Sequence, residues 1–283
     1  MRSAAARIAE ALAGHEVRSR NGNYLVRCPA HEDDRPSLSL ADGTHGLVLY
    51  CFAGCDSRDI FAAIRRKDSQ LLDDRAHPPT KGTAEHERRQ HDKAAWLWGR
   101  RRPISGTIAE TYLRDVRGYP GTLPPTLAFL PPAKPEQHPA LIAAFSLVDE
   151  PEPGVLASPR NVNAVHLTLL KPDGSGKANA DPVKLTIGKP RKRPIVFAPP
   201  NDLLGLTICE GIEDALTAHA ATGLGAWASA SAGFMPGLAD SVPSYINAVT
   251  IFAHADKAGQ DGACKLAATL RARGIETTVE GLS

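Results

Sequence analysis

Hydrophobic residues in the first part of the chain follow helical spacing, then strand-like spacing, then helical spacing again. Residues 3–13 form an Ala-rich amphipathic pattern that predicts a helix, and the apolar run "NYLVRC" predicts a strand. The segment "RDIFAAIRR" carries its large apolar residues on one helical face, and Asp56 or Ser57 precedes it as a cap. We therefore expect residues 1–68 to form a small module.

The pattern changes at residue 69, where apolar residues become rare. Residues 69–84 contain many charges and a Pro-Pro pair, which predicts a linker running into an exposed helix start. Helices are predicted near 84–99 and 106–116, followed by the strand candidates "ALIAAFSLV", "NAVHLTLL" and "PVKLTIG". Residues 85–200 are thus expected to form a mixed α+β middle domain.

From residue 201 to residue 283, strand patterns alternate with helix patterns. The strand candidates are "LLGLTICE", "GAWASAS", "AVTIFAH" and "IETTVE", and the helix candidates are "GIEDALTAHAATG" and "AGQDGACKLAATLRARG". Such alternation predicts a parallel sheet covered by helices, so the fold class is α/β overall.

Composition limits the class of protein without naming a partner. With 283 residues, 42% of them hydrophobic and 23% charged, the chain is long enough for two domains or for one domain and a small module. No apolar run is long enough to span a membrane, and Arg7 and Glu10 interrupt the pattern that a signal peptide requires. We expect a cytoplasmic protein without a membrane partner. The formal net charge of +2 indicates that any nucleic-acid surface is local.

Three of the five cysteines lie close to a histidine in the N-terminal module. Cys28 and His31 form one pair, Cys51 and Cys55 form a second pair, and nineteen residues separate the two pairs. Two close pairs of thiolate and imidazole ligands are typical of a tetrahedral structural zinc site, and a reducing compartment favours metal over disulfide. The alternative is a set of unrelated core cysteines. Cys209 and Cys264, far from this cluster in the sequence, are predicted to be small apolar core residues.

Two acidic residues follow predicted strands of the C-terminal segment. Glu210 ends "LTICE" and Asp256 follows "IFAHA", each with a glycine, Gly211 or Gly259, close behind. Ligands of open parallel sheets bind at the carboxyl ends of the strands, where a carboxylate can act as an acid or base or hold a metal. For Glu210 the alternative is a helix-start glutamate stabilised by the helix dipole.

These motifs resemble those of a known enzyme family. "CPAHEDDRPSLSL" followed by "LYCFAGC" resembles the zinc-binding domain of bacterial and phage DNA primases. "LTICEGIEDALTA" and "IFAHADKAG" resemble the Toprim domain, the metal-dependent catalytic fold of primases and topoisomerases. The middle segment is similar to the domain that joins these units in phage- and plasmid-borne primases. The resemblance therefore implies a DnaG-like primase of phage or mobile-element type.

The Toprim resemblance implies roles for individual residues. Glu210 matches the first acidic motif, and Asp256 matches the second Asp of an Asp-x-Asp pair whose first position is His254. Mg²⁺ prefers hard oxygen ligands, whereas Mn²⁺ accepts an imidazole more readily, so either ion is a candidate catalytic cofactor. Asp214 and Asp261 are possible substitutes for the missing acid.

The implied function is synthesis of RNA primers from NTPs on single-stranded DNA, with a separate replicative helicase as partner. The missing acid leaves open a non-catalytic single-stranded DNA-binding or regulatory protein of the same architecture. A Toprim nuclease is the third possibility.

Two further patterns concern nucleic-acid contacts. "GSGKA" departs from the phosphate-loop motif at Lys171 and Ala178 and is better interpreted as a hairpin turn. Trp96 and Trp98 lie beside three arginines, but residues two apart cannot share a helix face, so at least one of them is expected in the core. The basic residues that could contact phosphates, or simply form a solvated face, are Lys184, Lys189, Arg191, Lys192 and Arg193.

Overall fold

The computed structural model describes residues 3–13, 18–20, 23–33, 35–43, 46–68, 71–72 and 82–281. It divides into two compact units, Met1–His86 and Glu87–Ser283. Most of the predicted linker 69–84 lies outside the described residues. Within the described part of the chain, no helix is both long enough and apolar enough to cross a membrane.

The N-terminal unit is a four-stranded antiparallel sheet flanked by helices. Its strands run in the order β1-β2-β3-β4, and its core is a cluster of buried side chains that includes Cys28 and Cys51. As predicted, Asp56 caps the second helix by accepting a hydrogen bond from the Arg58 backbone N–H. The elements are α1 (Ala4–Ala13), β1 (Arg18–Arg20), β2 (Asn23–Val26), β3 (Leu38–Gly43), β4 (Gly46–Cys51) and α2 (Ser57–Lys67).

The middle segment is a second four-stranded antiparallel sheet, β5-β6-β7-β8, preceded by helices. The predicted helix 106–116 is regular only over its first turn and continues as a π-helical turn, Tyr112–Val116. The hairpin predicted at "PDGSG" forms, with Gly174 at φ +74°. The elements are α3 (Gly82–Gly99), α4 (Ile108–Thr111), β5 (Leu127–Leu130), β6 (Ala140–Ala144), β7 (Ala164–Leu169) and β8 (Lys184–Gly188).

The C-terminal segment contains the predicted parallel sheet with one addition. Four strands are parallel in the order β13-β12-β10-β11, and an antiparallel strand β9 completes the edge beside β11. This fifth strand is a difference from the prediction, which expected parallel strands alone. The elements are β9 (Ile195–Ala198), β10 (Gly205–Cys209), α5 (Ile212–Thr222), β11 (Gly225–Ala228), β12 (Ala248–Phe252), α6 (Lys257–Ala272) and β13 (Glu276–Glu280).

The middle segment and the C-terminal sheet share one hydrophobic core. Tyr112 and Leu141 of the middle segment belong to the same buried cluster as Ile212 and Leu216 of α5. Cys209 lies in this cluster as predicted, but Cys264 is exposed on α6, so the prediction of a core position for it is wrong. The apolar pattern around Cys264 belongs to its neighbours Ala263 and Leu266, which are among the residues that α6 buries.

Candidate functional site

The four predicted zinc ligands come together in the N-terminal unit. Cys28 follows β2 and Cys51 ends β4, while His31 and Cys55 lie in the two adjacent turns. Their ligand atoms all lie within 4.8 Å of one another, and both strand-end cysteines are buried. The short spacing within each pair lets one turn present two ligands, and the antiparallel sheet brings the two pairs together.

Asp33, which the sequence analysis did not identify, organises this cluster. Its carboxylate accepts hydrogen bonds from the Cys28 backbone N–H, at 2.8 Å, and from the Ser37 hydroxyl, at 2.6 Å. The Nδ1 atom of His31 lies 3.2 Å from the sulfur of Cys55, while Nε2 lies 3.7 Å from Asp33. A carboxylate facing the second ring nitrogen is the usual support for a metal-binding histidine. The position of Asp33, two residues after His31, was the sequence signal that could have identified it.

The crowded thiols show that the cluster suits a cation. Contact with Cys51, together with burial, raises the pKa of the Cys28 thiol to about 11. Contact with the other two sulfurs likewise raises the pKa of Cys55, whereas the hydrogen bonds with Cys28 and Cys55 lower the pKa of Cys51. Close thiols resist joint ionisation unless a cation compensates their charge, and three sulfurs with one imidazole nitrogen are a donor set typical of zinc. The residues present therefore fit a structural zinc ion.

An apolar stripe lies exposed on β4 of the same unit. Val48 and Tyr50 lie two residues apart on β4, and Phe52 follows directly after the strand with its backbone N–H bonded to the Ser37 carbonyl oxygen, so the three side chains continue one alternating series. Phe52 is 62% exposed, and its ring meets that of Tyr50 edge to face at 5.2 Å between centroids. Exposed aromatic rings on a sheet are a feature of proteins that stack nucleic-acid bases. The sequence analysis did not identify this face.

Glu210 lies at the carboxyl end of β10, as predicted. Its Oε2 atom is buried and makes no hydrogen bond to a described residue, although the Nδ1 atom of His254 lies 3.5 Å from it. Burial raises the pKa of its carboxyl group, and the nearby Asp256 carboxylate raises it further. The backbone N–H of Ala230, a left-handed residue at φ +61°, donates to the Glu210 carbonyl oxygen at 2.9 Å. A buried carboxylate oxygen without a donor is suited to receive a cation or a proton.

His254 lies between two carboxylates. Its Nδ1 atom is 3.5 Å from Glu210, and its Nε2 atom is 3.0 Å from Asp214. The hydrogen bond to Asp214 raises the pKa of His254, with a further contribution from the Glu210 charge. Because each ring nitrogen faces a different acid, the imidazole acts here as a bridge between them. Gly211 and Gly259 leave space for this arrangement. A Cβ atom on Gly211 would lie 2.3 Å from the Asp214 carboxylate, and a Cβ atom on Gly259 would lie 2.9 Å from His254.

The remaining predicted acids behave differently. Asp256 caps α6, and its carboxylate accepts the Gly259 N–H at 2.8 Å, so only part of its bonding capacity is free. Asp261 is exposed one turn further along α6 and makes none of the contacts described for Glu210 or His254. Among the described residues, a group of side chains already placed to hold a metal ion occurs at the Cys/His cluster and not at this sheet edge.

Glu213, the second residue of α5, has the densest set of charge contacts near this edge. It lies 2.7 Å from Lys177, 3.6 Å from Lys184 and 3.7 Å from Arg117, and it accepts a hydrogen bond from the Tyr112 hydroxyl at 2.7 Å. Burial opposes ionisation, but the charge of Lys184 and the hydrogen bond from Lys177 lower the pKa of Glu213 to about 2. The sequence analysis missed Glu213 because its partners are distant in the sequence. Tyr112 and Arg117 lie about a hundred positions before it, and Lys177 and Lys184 lie tens of positions before it.

The other predicted phosphate contacts are largely paired with acids. Lys189 and Arg191 both contact Glu87, at 2.6 and 3.0 Å, and Lys192 pairs with Asp240. Lys184 is the member of the predicted basic group that reaches the Glu213 cluster.

The two tryptophans divide as predicted between core and surface. Trp98 is buried, with the Arg101 guanidinium 4.2 Å from its ring centroid. Trp96 is exposed, and Arg100 lies 5.0 Å from its ring centroid. Trp96 with Arg100 therefore remains a surface that can pair stacking with charge.

Comparisons with known proteins identify two segments of the chain. Residues 205–280 match the Toprim domain family, and residues 88–197 match a domain of unknown function (DUF7146). No curated protein matches the sequence significantly. Among solved structures, the chain is similar to the Aquifex aeolicus primase (zinc-binding and RNA polymerase domains), at 15% identity and a TM-score of 0.37, over 100% of this chain and 80% of that one. At that identity and TM-score the likeness establishes no function.

The site geometry and the Toprim match both support the resemblance of the chain to DnaG-like primases. The parallel sheet that places Glu210 at a strand end is the part of the chain that matches the Toprim family. The Cys/His cluster of the N-terminal unit is compatible with a zinc module. Residues 205–280 are thus a Toprim domain, and this domain together with the Cys/His cluster supports the resemblance of the chain to DnaG-like primases.

Proposed function

We propose that this chain is a DNA primase that synthesises short RNA primers on single-stranded DNA. The observation that carries the proposal is the presence, in one chain, of a Toprim domain and a cluster of four zinc-type ligands. A Toprim domain by itself is compatible with several reactions on phosphodiesters. The zinc-type cluster favours the primase, because it has the ligand pattern of the primase zinc module.

The proposed reaction is nucleotidyl transfer. The 3′-hydroxyl of one ribonucleotide attacks the α-phosphorus of the next NTP, a phosphodiester bond forms, and the bond to pyrophosphate breaks. Glu210 is the candidate acceptor of the hydroxyl proton, since burial raises its pKa and favours proton uptake. Glu210 and Asp256 are also the candidate ligands of a divalent metal ion, which stabilises negative charge on the attacking and leaving oxygens when bound.

The donor set at this edge favours Mn²⁺ over Mg²⁺. His254 brings an imidazole between Glu210 and Asp214, whereas Mg²⁺ prefers oxygen ligands in octahedral geometry. The buried Glu210 oxygen without a hydrogen-bond donor is the feature that fits a cation.

The N-terminal module, which we assign to residues 1–68, is proposed to bind the template strand. Cys28, His31, Cys51 and Cys55 would hold a structural zinc ion that keeps β4 in place. The exposed rings of Tyr50, on that strand, and Phe52, directly after it, are the proposed stacking platform for bases. We assign 69–84 to a linker, 85–200 to the middle domain and 201–283 to the Toprim-like domain, in a cytoplasmic protein of phage or mobile-element type.

Primer synthesis on a mixed-sequence single-stranded template with labelled NTPs tests the proposal. Glu210→Gln is expected to lower the rate at least about 100-fold. Glu276→Gln, on the same sheet but at the opposite ends of the strands, serves as the matched control and should leave synthesis unchanged. His254→Asp should raise activity in Mg²⁺ more than in Mn²⁺. Short products that persist in Glu210→Gln would contradict the assignment of the catalytic edge.

A non-catalytic single-stranded DNA-binding protein is the second candidate, favoured by the way His254 occupies the space between Glu210 and Asp214. Under that alternative, no product forms with either metal, and Glu210→Gln changes neither synthesis nor DNA binding. Degradation of labelled single-stranded DNA without NTPs would identify a nuclease instead.

A further inference from the structure

One face of α3 carries a row of exposed cations around an exposed tryptophan. Arg89, Lys93 and Trp96 are spaced four and three residues apart, so their side chains share one face of the helix. Arg100 continues the row, because its backbone N–H still donates to the Trp96 carbonyl oxygen as in a helical turn. All four residues are exposed, and the Arg100 guanidinium lies over the Trp96 ring. We call these four residues the basic stripe.

The loop between β6 and β7 has the opposite charge. Leu147 and Val155 are large apolar residues that are 51% and 49% exposed. The exposed residues between them include three acids, Asp149, Glu150 and Glu152. We call this segment, residues 147–157, the acidic loop. It combines apolar side chains with a concentrated negative charge, as the basic stripe combines an aromatic ring with a positive charge.

The acidic loop is held in one conformation by the rest of the unit. Val148 and Leu156 are the residues that follow its two exposed apolar side chains, and both pack against the buried cluster of the C-terminal sheet. The Ala157 backbone N–H donates to the Asp149 carbonyl oxygen at 2.8 Å and closes the loop. A preformed surface loses less conformational entropy on binding, so the loop is suited to dock against a partner.

The charges of both surfaces lack counter-charges. The exposed residues Lys189, Arg191, Lys192 and Asp240 of the same unit all take part in ion pairs. In the part of the chain that the structure describes, by contrast, no ion pair neutralises the three cations of the basic stripe or the three acids of the acidic loop. Two exposed surfaces of opposite and uncompensated charge are therefore present on one chain.

We propose that the basic stripe of one copy of this chain docks on the acidic loop of a second copy. The three cations would face the three acids, and Trp96 would pack against Leu147 and Val155. Tryptophan and arginine are the residue types that most often dominate the binding energy of an interface. Because the two surfaces differ, the contact is head to tail, and each copy can bind one neighbour through each surface. Neither surface includes a residue of the acidic sheet edge, so the inference does not depend on the function proposed above.

Sedimentation equilibrium of the chain tests this proposal. The average mass of the wild type should rise above that of one chain as the concentration rises, and high salt should weaken the association at least about tenfold, since exposed charges are screened. Lys93→Glu in the basic stripe, and the double variant Leu147→Ser/Val155→Ser in the acidic loop, should each weaken it at least about tenfold. Lys265→Glu makes the same charge reversal at an exposed position of α6 and should associate as the wild type does.

A mixture of the two interface variants gives the decisive measurement. Each variant retains the surface that the other has lost, so an equimolar mixture should form a 1:1 complex that grows no further. A mixture in which both variants remain single chains would overturn the proposal. A wild type that remains a single chain at about 1 mM would overturn it too. Should Lys93→Glu fail to fold in a thermal melt, Trp96→Gln replaces it in the same mixture.

Two further outcomes would contradict the proposal. If Lys265→Glu weakens association as much as Lys93→Glu does, the effect is one of overall charge and not of the basic stripe. If Lys93→Glu loses binding to single-stranded DNA while the wild type remains a single chain at every concentration, the basic stripe contacts DNA instead of a second copy.

Discussion

The cysteine cluster of the N-terminal unit and the acidic edge of the Toprim sheet both gather metal-type ligands, but they balance charge differently. At the cysteine cluster, three thiols and one imidazole crowd together, and contact between the sulfurs raises the pKa of Cys28 to about 11. At the sheet edge, His254 already bridges two acids and Glu213 already has three cations. The first site thus offers a donor set to an ion from outside, whereas at the second site protein side chains already supply part of the counter-charge. Metal should accordingly decide the folding of one unit and only the chemistry of the other.

Metal removal is the strongest way to break this comparison. Chelation of zinc should unfold the N-terminal unit, because structural zinc contributes on the order of 10 kcal/mol to small zinc modules. Hydrogen exchange should show protection lost across β2–β4 and α2 and retained in the Toprim sheet. Cys51→Ser should reproduce the loss, while Cys264→Ser, an exposed cysteine outside the cluster, should not. Full protection of β3 and β4 in zinc-free protein would contradict the distinction.

Acid titration sharpens the comparison at the second site. The folded-state pKa of Glu213, about 2, lies below its ordinary value of 4.5, so its stabilisation is present above pH 4.5 and is lost as the pH falls toward 2. The full shift corresponds to about 3 kcal/mol of unfolding free energy. Urea unfolding followed by tryptophan fluorescence reports on the second unit, because all three tryptophans, Trp96, Trp98 and Trp227, lie there. Glu213→Gln should remove this part of the pH dependence. Equal slopes below pH 4.5 in the variant and the wild type would show that the internal pairing is not stabilising.

The smallest effect is expected from the packing under His254. A Cβ added at Gly259 would lie 2.9 Å from both the Cβ and the carbonyl oxygen of His254, so Gly259→Ala must displace that residue. We expect a loss of about 1 to 2 kcal/mol in unfolding free energy, by analogy with overpacked cores. Gly99→Ala is the matched control, since nothing lies within 4 Å of its added Cβ. Identical melting curves for the two variants would mean that the bridge between Glu210 and Asp214 tolerates movement.

Features formed by residues close together in the sequence could be predicted, whereas features formed by residues far apart in the sequence could not. The ligand pairs Cys28–His31 and Cys51–Cys55 are local, and the strand ending at Glu210 has a clear apolar pattern, so all of these were placed correctly. The contacts of Glu213 reach back to Tyr112, 101 positions earlier, and no local pattern records them. The antiparallel strand β9 was missed for the same reason, because a short apolar run does not reveal which sheet it joins.

Strand β9 links the two segments of the chain that match different families. Its first three residues are the last of the segment that matches DUF7146, yet β9 pairs with β11 of the segment that matches Toprim. Loss of the first segment without the second would leave one edge of β11 with unpaired backbone groups, which favour association with other chains. The two segments should therefore unfold together in a single cooperative transition. We also expect related proteins that contain one of the segments to contain the other.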